Sequence, residues 1–150
     1  STTLGFSVGY TDAEYTTDTK GANDVIIRPK GEPLPIAPWT ATLSGEQTFS
    51  LGANRGYLRT DFQYRSKNGT PVPTNLPAVD PTIPRVPSSK NLDLRAGVRI
   101  DGGFDVSLFA TNVLNDAPAY GRNRDSLTTF NYRAVTVRPL TVGLTATFRR

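Results

Sequence analysis

The chain has no cysteine, no histidine and no methionine. Without cysteine there is neither a disulfide framework nor a thiolate metal site. Without histidine the commonest acid–base catalyst and metal ligand is missing. A nucleophile needs a neighbouring base, and the usual serine and cysteine arrangements cannot be built here. No enzymatic activity and no cofactor are therefore expected, and Gly102-Gly103 lacks the strand–loop–helix setting of a phosphate cradle. No apolar run reaches the length of a transmembrane helix, which says nothing of strands, whose alternating segments score as weakly hydrophobic. The chain begins at Ser1 without a secretory signal, so it is expected to be part of a longer or processed protein. Its excess of 17 Lys+Arg over 13 Asp+Glu is mild. These cations are scattered and often adjacent to acids, unlike a basic stripe interleaved with aromatics, so no nucleic-acid partner is expected.

What the sequence has is alternation. Six segments place apolar and polar residues at period two, a strand signal, and none shows helical spacing. They run from about Thr3 to Tyr15, Thr40 to Leu51, Gly56 to Lys67, Asn91 to Asp101, Phe104 to Leu114 and Val137 to Arg149. In the third, Leu58, Thr60, Phe62 and Tyr64 oppose Arg59, Asp61, Gln63 and Arg65. In the fourth, Leu92, Leu94, Ala96, Val98 and Ile100 oppose Asp93, Arg95 and Arg99. The connections alternate in length. Gly52 to Arg55 and Asp101-Gly102-Gly103 are short, whereas Thr16 to Trp39, Asn68 to Lys90 and Asn115 to Thr136 are long and read as irregular. Eleven of the 12 prolines fall in the long connections, and Pro139 stands at the start of the last segment, where a missing N–H is tolerated.

A soluble sandwich also alternates, but three features favour a membrane barrel. The segments reach the 9–11 residues that cross a bilayer at a tilt. Short turns at one end and long loops at the other are the outer-membrane pattern, with the short turns periplasmic. On the apolar faces, Phe49, Phe104 and Phe148 fall at the short-turn end, and Tyr10, Trp39 and Tyr64 at the long-loop end. Aromatic rings favour the two membrane–water boundaries, so these six are the expected girdle. The apolar faces are read as free of charge. The expected fold is all-β: an antiparallel meander of about six long strands, the C-terminal section of a transmembrane β-barrel spanning residues 1–150. The alternatives are a soluble all-β ligand-binding sandwich of the carbohydrate-binding kind and an outer-membrane enzyme barrel.

Several motifs then carry a resemblance. Pro35-Ile36-Ala37-Pro38-Trp39-Thr40-Ala41 and Tyr57-Leu58-Arg59-Thr60-Asp61-Phe62-Gln63-Tyr64 resemble consecutive late-strand segments of TonB-dependent outer-membrane receptors. Asn91 to Val98 and Val106 to Asp116 resemble the next hairpin of that family, including its Asn-Leu-Phe-Asp-like ending. Arg138 to Thr145 resembles its closing strand. The resemblance implies a 22-stranded barrel in the outer membrane of a Gram-negative bacterium, enclosing an N-terminal plug that is absent here. It implies uptake of a scarce nutrient, typically a ferric siderophore, powered by the TonB complex through the receptor's N-terminal part. The implied partners are that complex, the protein's own plug, outer-membrane lipid and the barrel-assembly machinery. The family usually ends on an aromatic residue, whereas this chain ends Phe148-Arg149-Arg150.

Two residue sets are candidates for function. Arg59, Asp61, Arg65, Asp93, Arg95 and Arg99 would face the lumen and contact the plug or line a substrate path, or simply pair across neighbouring strands. Tyr120, Arg122, Asn123, Arg124, Phe130 and Tyr132, in the last long loop, would meet an anionic or aromatic ligand, since arginine suits planar carboxylates and aromatics supply rigid contact area.

Overall fold

A computed structural model describes residues 1–68, 85–124 and 132–149. The elements are β1 (Thr2–Tyr10), β2 (Thr19–Lys20), a single 3₁₀ turn (Ala22–Asp24), β3 (Ile26–Arg28), β4 (Trp39–Leu51), β5 (Asn54–Arg65), β6 (Ser89–Ile100), β7 (Phe104–Thr111), β8 (Gly121–Arg124), β9 (Tyr132–Val135) and β10 (Thr141–Phe148). Six of them form one antiparallel sheet in the order β1-β4-β5-β6-β7-β10, so each strand pairs with the next long strand along the chain. The outer edges of β1 and β10 do not meet, and the sheet is not closed into a barrel.

Glycine sets the two short turns. The β4–β5 hairpin closes on the Leu51↔Asn54 pair around Gly52-Ala53. Gly52 has φ +63°, the left-handed position that a two-residue hairpin turn of this kind gives to glycine. The β6–β7 hairpin turns through Asp101-Gly102-Gly103, with Gly102 and Gly103 at φ +97° and +95°.

The six expected segments are present with shifted ends. β1 stops at Tyr10 rather than Tyr15. β5 begins at Asn54 and ends at Arg65, and β7 ends at Thr111 rather than Leu114. β10 starts at Thr141, so Pro139 lies ahead of the strand. β6 starts two residues early, at Ser89, and this brings Lys90 opposite Tyr64 on the apolar face. The expectation that this face carries no charge is therefore wrong at one position. Two of the long connections also hold structure of their own: the β2–β3 and β8–β9 ladders.

One face of the sheet is apolar, and among the described residues nothing covers it. Leu4 and Phe6 are 77% and 73% exposed, and Val142 and Leu144 are 69% and 65% exposed. Leu43, Leu58, Leu94 and Leu108 continue the exposed face across the strands between them. Only Ala37 and Tyr57 are buried hydrophobic residues among those described. Fully burying a Leu or Phe side chain contributes roughly 1.5–3 kcal/mol. An apolar cover over this face would therefore stabilise the sheet.

Six of the face's aromatic residues lie at its two ends, whereas Phe6 and Phe62 lie mid-strand. At the long-loop end the Tyr10 and Trp39 rings touch, with centroids 4.6 Å apart, and Tyr64 lies on the next strand. At the short-turn end Phe104 and Phe148 pair at 4.6 Å. Phe49 lies there too, packed into the space left by Gly56.

Candidate functional site

The opposite face gathers all six of the expected lumen residues, because strand parity sets Arg59, Asp61, Arg65, Asp93, Arg95 and Arg99 on one side. The register places like charges directly opposite one another: Arg59↔Arg95, Asp61↔Asp93 and Arg55↔Arg99. Directly opposed like charges destabilise a ladder. The side chains relieve this by turning along or across the strands. Arg59 Nε and Nη2 donate to the two carboxylate oxygens of Asp61 on the same strand, at 2.8 and 3.3 Å. Arg99 reaches Asp105 at 3.6 Å and Glu46 at 3.9 Å, and its guanidinium lies 4.6 Å from the centre of the Tyr57 ring. These ion pairs are partly exposed, so each is worth about 0–1 kcal/mol.

Asp93 and Arg95 behave differently from the Arg59–Asp61 pair, although they too are two residues apart on one strand. Asp93 Oδ1 accepts from the Asn112 backbone N–H at 2.9 Å and from Asn91 Nδ2 at 3.0 Å. Arg95 turns the other way, donating from Nη1 to the buried Ser107 hydroxyl at 3.2 Å and lying 5.5 Å from the Phe109 ring centre. Between them opens a recess of about 400 Å³, walled in part by Glu46, Tyr57, Arg59 and Phe109. It presents both signs of charge and two aromatic faces, a surface suited to a polar partner rather than to an apolar ligand.

Glycines make room for these rings. A Cβ at Gly97 would stand 2.6 Å from Tyr57, and one at Gly143 would collide with the Phe109 ring. Tyr57 therefore crosses β6 at Gly97 and donates to Asp105 Oδ1 on β7 at 3.0 Å.

At the long-loop end Asn112 ties three strands together. It is 5% exposed and takes φ +51°, a left-handed conformation that asparagine tolerates. Its Nδ2 donates to the carbonyls of Asp116 and Arg138, both at 3.0 Å, and its Oδ1 accepts from the Asp116 N–H. Asp116 in turn accepts from the Lys90 N–H at 2.7 Å, and Asn115 Oδ1 accepts from the Leu140 N–H at 3.2 Å. The end of β7 and the starts of β6 and β10 are thus fixed together by side chains that compete with the ladder.

The first long connection is a folded lobe. The Tyr15 N–H donates to the Glu32 carbonyl, and the Gly31 N–H to the Tyr15 carbonyl. Arg28 forms a largely buried ion pair with Glu32, and its guanidinium lies 5.7 Å from the centre of the Tyr15 ring.

Of the expected loop residues, Tyr120 lies 6.0 Å beneath the Arg65 guanidinium, which joins one member of each candidate set. Arg122, Asn123 and Arg124 lie on β8, and Tyr132 pairs with Arg124 in the β8–β9 ladder. Phe130 lies outside the described residues. Sequence reasoning missed the Asn112 clasp and the Arg28–Glu32 pair. The clustered Asn112, Asn115 and Asp116 were a readable sign of local side-chain-to-backbone turns.

Comparison with protein-family models, with curated proteins and with solved structures gave no match for this chain.

Proposed function

We propose that this chain is a section of the transmembrane barrel of a TonB-dependent outer-membrane receptor. On this reading the whole receptor takes up a scarce nutrient, with a ferric siderophore as the cargo typical of the family. The observation that carries it is the exposed apolar face, bordered at one end by Tyr10, Trp39 and Tyr64 and at the other by Phe49, Phe104 and Phe148. Lipid tails supply an apolar cover for that face, and ring-bearing borders suit the two membrane–water boundaries. Strand length is consistent with this at β4, β5 and β6, whereas β7 and β10, at eight residues each, fall short of the roughly 9–11 that a tilted crossing takes. At about 3.4 Å per residue, the 12- and 13-residue strands are roughly 40 Å long and cover about 30 Å when tilted.

The polar face then lines the lumen. Its mixed charges and its recess at Arg95 and Phe109 suit contact with a plug, and the long connections face outward, where cargo arrives. The TonB complex would act through the receptor's N-terminal part, and the barrel-assembly machinery would insert the strands. The competing sandwich reading needs a second sheet over the apolar face, and among the described residues none lies there.

The test is to express residues 1–150 without detergent and to follow size-exclusion chromatography with circular dichroism. Aggregation, or β-structure only in detergent or lipid, is the expected result. A sharp monomer peak with a cooperative β-rich melt in plain buffer would defeat the membrane reading.

A further inference from the structure

The apolar face carries one charged residue within its six strands, and it stands at the long-loop border. Lys90 stands opposite Tyr64 in the β5–β6 ladder. Across the four adjacent strands β1, β4, β5 and β6, the long-loop border of the face therefore reads Tyr10, Trp39, Tyr64 and Lys90. Each ring of this border carries a polar tip, whereas the opposite border is built of phenylalanines, which have none. The Lys90 backbone is held by Asp116, while its exposed side chain has no partner among the described residues. An ammonium on a four-carbon stem next to amphipathic rings can lay its stem along apolar surface and lift its charge to the water boundary. The charge that complements it there is anionic.

We propose that Lys90, flanked by Tyr64, is a docking point for the phosphate of an anionic lipid headgroup in the leaflet on the long-loop side. The proposal rests on the membrane reading above and adds to it a lipid preference at a named place. A lysine near a charged bilayer surface contributes about five-fold in partitioning, the equivalent of roughly 1 kcal/mol.

The chain carries its own reporter, because Trp39 is the only tryptophan and belongs to the same border. The 150-residue chain and its variants are diluted from urea into vesicles of phosphatidylcholine, alone or mixed with phosphatidylglycerol. The blue shift of Trp39 emission reads partitioning. Wild type is expected to favour the anionic vesicles, and Lys90→Gln to lose about five-fold of that preference while partitioning normally into phosphatidylcholine. Lys90→Arg should retain the preference. Lys20→Gln, the same charge change in the first loop, should leave it intact. Lys90→Met provides a second neutral variant should circular dichroism show that glutamine disturbs the strand. Undiminished preference in both neutral variants overturns the proposal and leaves the membrane reading standing. An equal loss in Lys20→Gln also overturns it, by reducing the effect to net charge. No Trp39 shift with either vesicle removes the membrane reading and the proposal together.

Discussion

The Tyr57 hydroxyl and the Asp105 carboxylate, 48 positions apart in sequence, meet at 3.0 Å across an intervening strand. They meet because position 97 has no side chain to hold them apart. Tyr57→Phe should destabilise the sheet by about 1.5–3 kcal/mol, the range for a hydrogen bond to a charged group. Gly97→Ala should cost about 1–3 kcal/mol by forcing the ring aside. If the two act through one contact, Gly97→Ala should cost clearly less in a Tyr57→Ala background. Urea unfolding in detergent, run as a double-mutant cycle, measures this, and simple additivity would show that the ring and the glycine are independent.

Asn112 holds three polar groups of the β7–β10 connection. Asn112→Ala removes those partners and places a less tolerant residue at φ +51°. A loss of about 3 kcal/mol is expected, from bonds worth about 1 kcal/mol each. Asn112→Gly should fall between alanine and wild type, since it relieves the backbone but not the bonds. Hydrogen exchange at Thr141 to Leu144 should quicken in the same order, and unchanged exchange would assign the clasp no part in seating β10.

Charge placement separates the two faces. Leu108→Arg on the apolar face is expected to cost about 2–4 kcal/mol of folding into lipid. Thr42→Arg, on the exposed polar face, should change it by no more than about 0.5 kcal/mol. Comparable losses for the two variants would mean that the faces do not differ in their surroundings.

The first loop offers a local test. Removing Arg28 leaves the largely buried Glu32 carboxylate without the guanidinium it faces. Breaking a buried pair from one side costs about 3–5 kcal/mol, with this partly exposed site at the low end. Arg28→Ala should therefore speed exchange at the Tyr15 and Gly31 amides, which cross-link the lobe, without touching the β4–β5 ladder. Protection that survives the substitution would locate the lobe's stability elsewhere.

Much of the sheet was legible because a period of two assigns every side chain to a face. All six lumen candidates accordingly share one side, and the six aromatics share the other. Strand ends were less legible because local chemistry overrides the period. β7 stops before Asn112, whose side chain captures the carbonyls of Asp116 and Arg138. Pro139 has no N–H to offer a ladder, so β10 waits until Thr141. β6 starts early, which moved Lys90 from a loop onto the apolar face. Contacts such as Tyr57–Asp105 were out of reach, because they depend on a register between strands that no single segment encodes.

The nearest-neighbour order β1-β4-β5-β6-β7-β10 has an evolutionary corollary. No strand threads between two others, so a hairpin can be gained or lost at either flank without rerouting the rest. Strand number in such an architecture is a count that can change by duplication, two at a time, while the surviving ladders keep their pairing.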